Sequence, residues 1–106
     1  MMHDNNFRIE KEVKDGQTQL KIEGAITILE TAALRTELIA GLMESRELIL
    51  DLEQVGDCDM FGIQLLHSAG ITARDSEKMI SVKRISAPVR DAANRIGMSV
   101  GDFLFS

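Results

Sequence analysis

Residues 47–73, ELILDLEQVGDCDMFGIQLLHSAGITA, constrain the fold more than any other part of the chain. Leu48, Ile49 and Leu50 form a short apolar run between charges, the pattern of a strand inside a sheet. A polar loop, residues 53–59, is expected next, and a helix from Met60 onward. Ile63, Leu66, Ala69, Gly70 and Ala73 recur at spacings of three and four, or directly beside such a position, which marks one helical face. Asp59 stands at the N-cap, where its carboxylate can accept from the free N–H groups of the first turn. A buried strand thus delivers a loop and a helix N-terminus to one edge of the molecule. In open α/β sheets that edge is where ligands and partners dock.

The flanks repeat the alternation. Phe7, Ile9 and Val13 share a face of an opening strand, Asp15-Gly16 signals a turn, and Leu20 and Ile22 share a face of a second strand. The two read as a hairpin, with a crossing arrangement as the alternative. Gly24 is expected to break the second strand before residues 25–28. A helix follows, started either by a Thr27–Glu30 capping box or near Glu30-Thr31, with Leu34, Leu38 and Leu42 facing the sheet and Ile39 and Gly41 beside them. Past the polar cluster 74–78, residues 79–85 alternate as a further strand. Pro88 then opens a last helix carrying Val89, Ala92, Ala93 and Ile96, with Gly97 as its stop. Phe103, Leu104 and Phe105 are too apolar for a free end and are expected to pack or pair, whereas residues 1–6 are expected to be flexible. The whole reads as one α/β domain over residues 1–106, a mixed sheet of four to five strands with right-handed crossovers and helices mainly on one face.

Composition narrows the function classes. Lys and Arg number 12 against 17 Asp and Glu, for a net charge of -5, and neither Trp nor Tyr is present. A nucleic-acid partner is not expected, because phosphate neutralisation needs clustered cations and base stacking needs aromatics. No apolar run approaches the roughly 20 residues of a membrane span, and the first residues lack a signal-peptide pattern. The single cysteine, Cys58, excludes an internal disulfide and suits a reducing compartment. A cytoplasmic protein without direct membrane insertion is the expectation.

Three pieces of the chain resemble a STAS domain, the family of bacterial anti-sigma factor antagonists and of the cytoplasmic tails of sulfate transporters. They are Gly24-Ala25-Ile26-Thr27-Ile28 with Leu34 and Leu38; Leu50-Asp51-Leu52, Val55 and Asp59-Met60-Phe61-Gly62-Ile63 with Leu65-Leu66; and Pro88-Val89 with Arg95-Ile96-Gly97-Met98 and the apolar end. The middle piece is the most specific. The resemblance implies a non-enzymatic module without cofactor or metal. Its implied partner is an anti-sigma factor or related kinase-like ATPase, docked through Asp57, Cys58, Asp59, Met60, Phe61 and Gly62. The alternative it implies is an accessory subunit bracing the ATPase of an ABC-type lipid transporter. A homodimer is compatible with either. In the family a Ser or Thr follows the Asp and is phosphorylated, so that its charge abolishes docking. Here Met60 holds that position and residues 56–62 contain no hydroxyl, so the switch cannot operate there.

The remaining residues with chemistry to offer carry weaker signals. Asp57, Cys58, Asp59 and His67 match no metal-ligand spacing. Cys58 is expected to be buried and inert, and His67, lacking a paired nucleophile, to be an edge residue. Ser68, Thr72 and Ser76 are candidate substitute phosphosites. The glycines compose no phosphate-cradling motif; Gly62 is expected to let the helix approach the sheet closely. Met60 and Phe61, bulky where relatives carry small polar residues, are expected to form an apolar contact patch.

Overall fold

Asp15 and Gly16 both adopt left-handed backbone, at φ 54° and 83°, which a tight two-residue hairpin turn requires. They join β1 (Arg8–Lys14) to β2 (Gln17–Ile26) in antiparallel register from Lys14↔Gln17 to Arg8↔Glu23. The hairpin expectation therefore holds. The computed structural model describes residues 7–98, so the expectations for residues 1–6 and for Phe103–Phe105 lie outside the described residues. From β2 the chain runs through α1 (Thr31–Glu44), β3 (Glu47–Leu52), β4 (Val55–Cys58), α2 (Met60–Asp75), β5 (Met79–Ile85) and α3 (Ala87–Arg95). The described strands form one mixed sheet in the order β1-β2-β3-β5, with β3 parallel to β2 and to β5, and β4 parallel to the far half of β2.

Alternation along the strands decides which face the helices cover. Thr18, Leu20 and Ile22 of β2 and Leu48, Leu50 and Leu52 of β3 point to one side and are fully buried. The leucines and isoleucines among them pack with Leu34, Leu38 and Leu42 of α1, Ile63 and Leu66 of α2, and Val89 of α3 in one core. Burying side chains of this size stabilises by roughly 1.5–3 kcal/mol each. On the opposite face Arg8 and Glu23 pair at 3.3 Å, and Arg84 bonds the buried Asp51 at 2.8 Å. The helix-covered side is thus apolar and closed, and the other is a lattice of charges.

Five local expectations need correction. The polar loop 53–59 contains β4, because Val55 and Cys58 turn inward and pair with Gly24 and Ile26, while Gly56 is an extra residue in the register. Its two exposed central residues hid that strand. Gly24 does not break β2; at φ 92° it carries the strand through the same irregularity. Val13, on the edge strand, is 56% exposed because no helix reaches it, and Ile39 is 48% exposed because it points off the α1 stripe. Ile96 is the C-cap of α3 and half out of the core, leaving Val89, Ala92 and Ala93 as the buried stripe.

Both later helices end in the same manner. At α3, Gly97 N–H donates to Asn94 O at 3.0 Å and Met98 N–H to Ala93 O at 2.9 Å, with Gly97 at φ 79°. This paired arrangement satisfies the last carbonyls and favours glycine at the left-handed residue. At α2 the same two bonds run from Glu77 to Arg74 and from Lys78 to Ala73, with Glu77 at φ 60°. A non-glycine residue holds that left-handed position at a cost of about 1–2 kcal/mol.

Candidate docking site

The C-terminal ends of β2 and β4 deliver two segments to one edge of the sheet: the turn 27–30 before α1, and the first turn of α2. Asp59 joins them. One carboxylate oxygen, Oδ1, accepts from the Gly62 N–H at 3.0 Å and caps α2 as the sequence predicts. The other, Oδ2, accepts from the Ile28 N–H at 3.1 Å, and the Asp59 N–H donates to Ile26 O at 3.2 Å. A local cap is thereby also a cross-link between segments 31 residues apart. Sequence spacing reveals the first role and not the second.

Gly62 lies against β2. A Cβ there would collide with the Ile26 carbonyl oxygen and lie 2.7 Å from Ile26 Cγ2. The close approach expected for Gly62 is thus present, and the reason is steric. The turn before α1 is stiffened separately. Glu30 Oε1 accepts from the Thr27 N–H at 2.9 Å and from the Thr27 hydroxyl at 2.6 Å, while α1 begins at Thr31, the later of the two expected starts.

On this frame four large apolar side chains face solvent: Ile28 at 55%, Leu29 at 84%, Met60 at 46% and Phe61 at 42% exposure. Met60 and Phe61 were legible as candidates in the sequence. Ile28 and Leu29 were not, because an apolar pair ahead of a helix reads as the end of a strand. Asp57 is exposed and Asp59 partly so. Cys58, in contrast, is buried, and its thiol is pushed up to about 12 by burial and then by the charges of Asp59 and Asp57, against a smaller opposing effect of Arg95. It is neither a nucleophile nor a contact surface near neutral pH.

Phe61 also closes one end of a groove between α1 and α2. The outer stretch, about 600 Å³, is lined by Thr31, Ala32, Arg35, Phe61 and Gln64 among others; the inner, about 180 Å³, by Leu38, Ile39, Leu42, Ala69 and Thr72. Arg35, Leu65 and Ser68 line both. Of the candidate phosphosites, Ser68 and Thr72 therefore face this groove, and Ser76 is the C-cap of α2. His67 is partly buried on α2. Among the described residues no group of three or more His, Cys, Asp or Glu is arranged to hold a metal ion. Among them, too, no helix is long and apolar enough to cross a membrane.

Comparison with known proteins places this geometry. Among solved structures, an anti-sigma factor antagonist from Mycobacterium paratuberculosis matches with TM-score 0.72 and 18% identity, over 92% of this chain and 83% of that one. The anti-sigma factor antagonist SpoIIAA in its unphosphorylated form matches with TM-score 0.69 and 14% identity, over 94% and 85% of the two chains. SLC26A9 matches with TM-score 0.61 and 16% identity, over 82% of this chain and 19% of its own. At these identities the likeness is one of fold. No curated protein sequence matches. The family model described as Mlab, STAS domain, matches residues 9–104. A mixed sheet with an N-capped helix delivered to its edge, matched over almost its whole length, makes this chain a member of that STAS-domain family.

Proposed function

We propose that the chain is a non-enzymatic protein-interaction module of the cytoplasm that docks a kinase-like anti-sigma factor or a related signalling ATPase. The docking surface is built from Asp57, Asp59, Met60 and Phe61, with Ile28 and Leu29 extending it and the buried Cys58 and Gly62 supporting it from beneath. One observation carries this reading. Met60 and Phe61 are held half-exposed on a helix turn that Asp59 and Gly62 fasten to β2 and to the turn before α1. Large apolar side chains kept in water on a rigid frame are the anchors from which interfaces draw most of their energy. Because Met60 offers no hydroxyl, docking at this surface is constitutive with respect to that position.

The second reading, an accessory subunit bracing a transporter ATPase, is favoured by the same Met60. Such a subunit needs no phosphate switch, so a thioether at the acceptor position costs it nothing. A homodimer through the same patch would compete with either partner.

Affinity capture from native lysate with wild type and Met60→Glu, read by mass spectrometry, tests the proposal. A kinase-like anti-sigma protein lost only with the variant supports partner switching. A transporter ATPase lost only with the variant supports the second reading. Equal capture of every protein by both baits contradicts the docking surface.

A further inference from the structure

The groove between α1 and α2 is a separate feature from the patch at its mouth, and its lining is chemically simple. Apart from the amide of Gln64 its walls are apolar or hydroxylic along both stretches, and Arg35 is the only charged residue that lines it among the described residues. Arg35 makes no ion pair among the described residues, so its charge is open to a partner. Arg35 lines both stretches, together with Leu65 and Ser68.

We infer that this groove receives an amphipathic helix of a protein partner whose apolar face carries one carboxylate set against Arg35. The inference rests on the docking reading above and names the partner's chemistry. Three features select this occupant. From Thr31 to Leu42 the groove follows α1 for three turns, about 16 Å at 1.5 Å per residue, the length of a short helix. Its walls are two helices, whose backbone groups are satisfied internally, so an added strand would find no free edge to pair with. Small residues, Ala32, Ser68 and Ala69, allow a third helix to approach to the 8–10 Å interaxial distance of packed helices. A lone unpaired cation in an otherwise uncharged groove then selects an acidic side chain over a basic one, since a like charge docked there would be desolvated without a partner.

Selection from a displayed library of 16-residue helix-forming peptides on the wild-type protein tests this. The expected consensus has apolar residues at i, i+3 or i+4, and i+7, with Asp or Glu among them. Binding of the selected peptides should fall at least tenfold with Arg35→Glu and be lost with Ser68→Trp, which fills the groove at its waist. It should be unchanged with Met79→Glu at the far end of the sheet. Reselection on Arg35→Glu should replace the acidic position by Lys or Arg. Failure to enrich any helical consensus overturns the inference, as does a consensus indifferent to charge at Arg35 or insensitive to Ser68→Trp. Concentration-dependent dimerisation abolished by Ser68→Trp overturns it in favour of a second copy of the chain. Because Met60 does not line the groove, loss of lysate capture with Met60→Glu remains an independent result for the docking patch.

Discussion

The two ends of α2 solve the same problem in different ways. At its start, the free N–H groups are satisfied by Asp59, which also holds Ile28, and Gly62 lies against Ile26 of β2. At its end, the last carbonyls are satisfied by Glu77 and Lys78, the residues immediately following. The first solution is long-range and ties three segments together; the second is local and strained at a non-glycine residue. The end that presents large apolar side chains to water is the one fixed from several directions. An interface gains from such pre-organisation because fewer rotamers and loops must be ordered on binding. The other end needs only to stop a helix.

The sharpest way to break this contrast is Gly62→Ala. Alanine favours a helix by about 1 kcal/mol over glycine, yet its Cβ would meet the Ile26 backbone, which cannot move without displacing β2 from β4. A net loss of about 3 kcal/mol is expected in urea unfolding. A loss below about 0.5 kcal/mol would mean that the start of α2 is not clamped. Asp59→Ala comes next, at about 1.5 kcal/mol, the sum of a lost cap and a partly hydrated Ile28 N–H. Asp59→Asn should recover about half of it by keeping the Oδ1 acceptor.

Cys58 provides a pH test at the same end. Burial raises its thiol in the folded state from the ordinary value of 9.0 to about 12. Above pH 9 the unfolded chain releases this proton and the folded one does not, so stability falls as pH rises from there toward the folded value. Between pH 8 and pH 10 wild type should lose about 1 kcal/mol more than Cys58→Ala. Parallel curves for the two proteins would show that the thiol is not held in its protonated form. The smallest effect is expected at the far end of the helix. Glu77→Gly removes left-handed strain and should stabilise by about 0.5 kcal/mol after the greater backbone entropy of glycine is subtracted. Destabilisation there would mean that the Glu77 side chain has a role its geometry does not reveal.

Much of this was legible in the sequence, and the boundary has a physical cause. Signals that depend on a few neighbouring residues were readable: the Asp15-Gly16 turn, the Asp59 cap, the α2 stripe from Ile63 to Ala73, and the need for glycine at 62. Family resemblance then assembled these pieces into the right fold. What escaped depends on partners distant along the chain. The strand β4 exists because Val55 and Cys58 meet Gly24 and Ile26 across a register shift, and its own four residues carry no strand pattern. Ile28 and Leu29 join the site only through the Asp59 carboxylate. Arg35 and Ser68 share a groove although they are separated by most of α1, two strands and half of α2.

The central claim is that the partner docks on the clamped, apolar start of α2. The most direct test is calorimetric titration of the captured ATPase against wild type, Met60→Glu and Met79→Glu, with each variant first shown to unfold at the wild-type denaturant midpoint. Met60→Glu places a charge on the proposed patch and should weaken binding at least tenfold, about 1.4 kcal/mol. Met79→Glu places the same charge on a methionine that is still more exposed, at the other end, and should leave binding unchanged. Loss of affinity with Met79→Glu alone, or equal loss with both, would contradict the account.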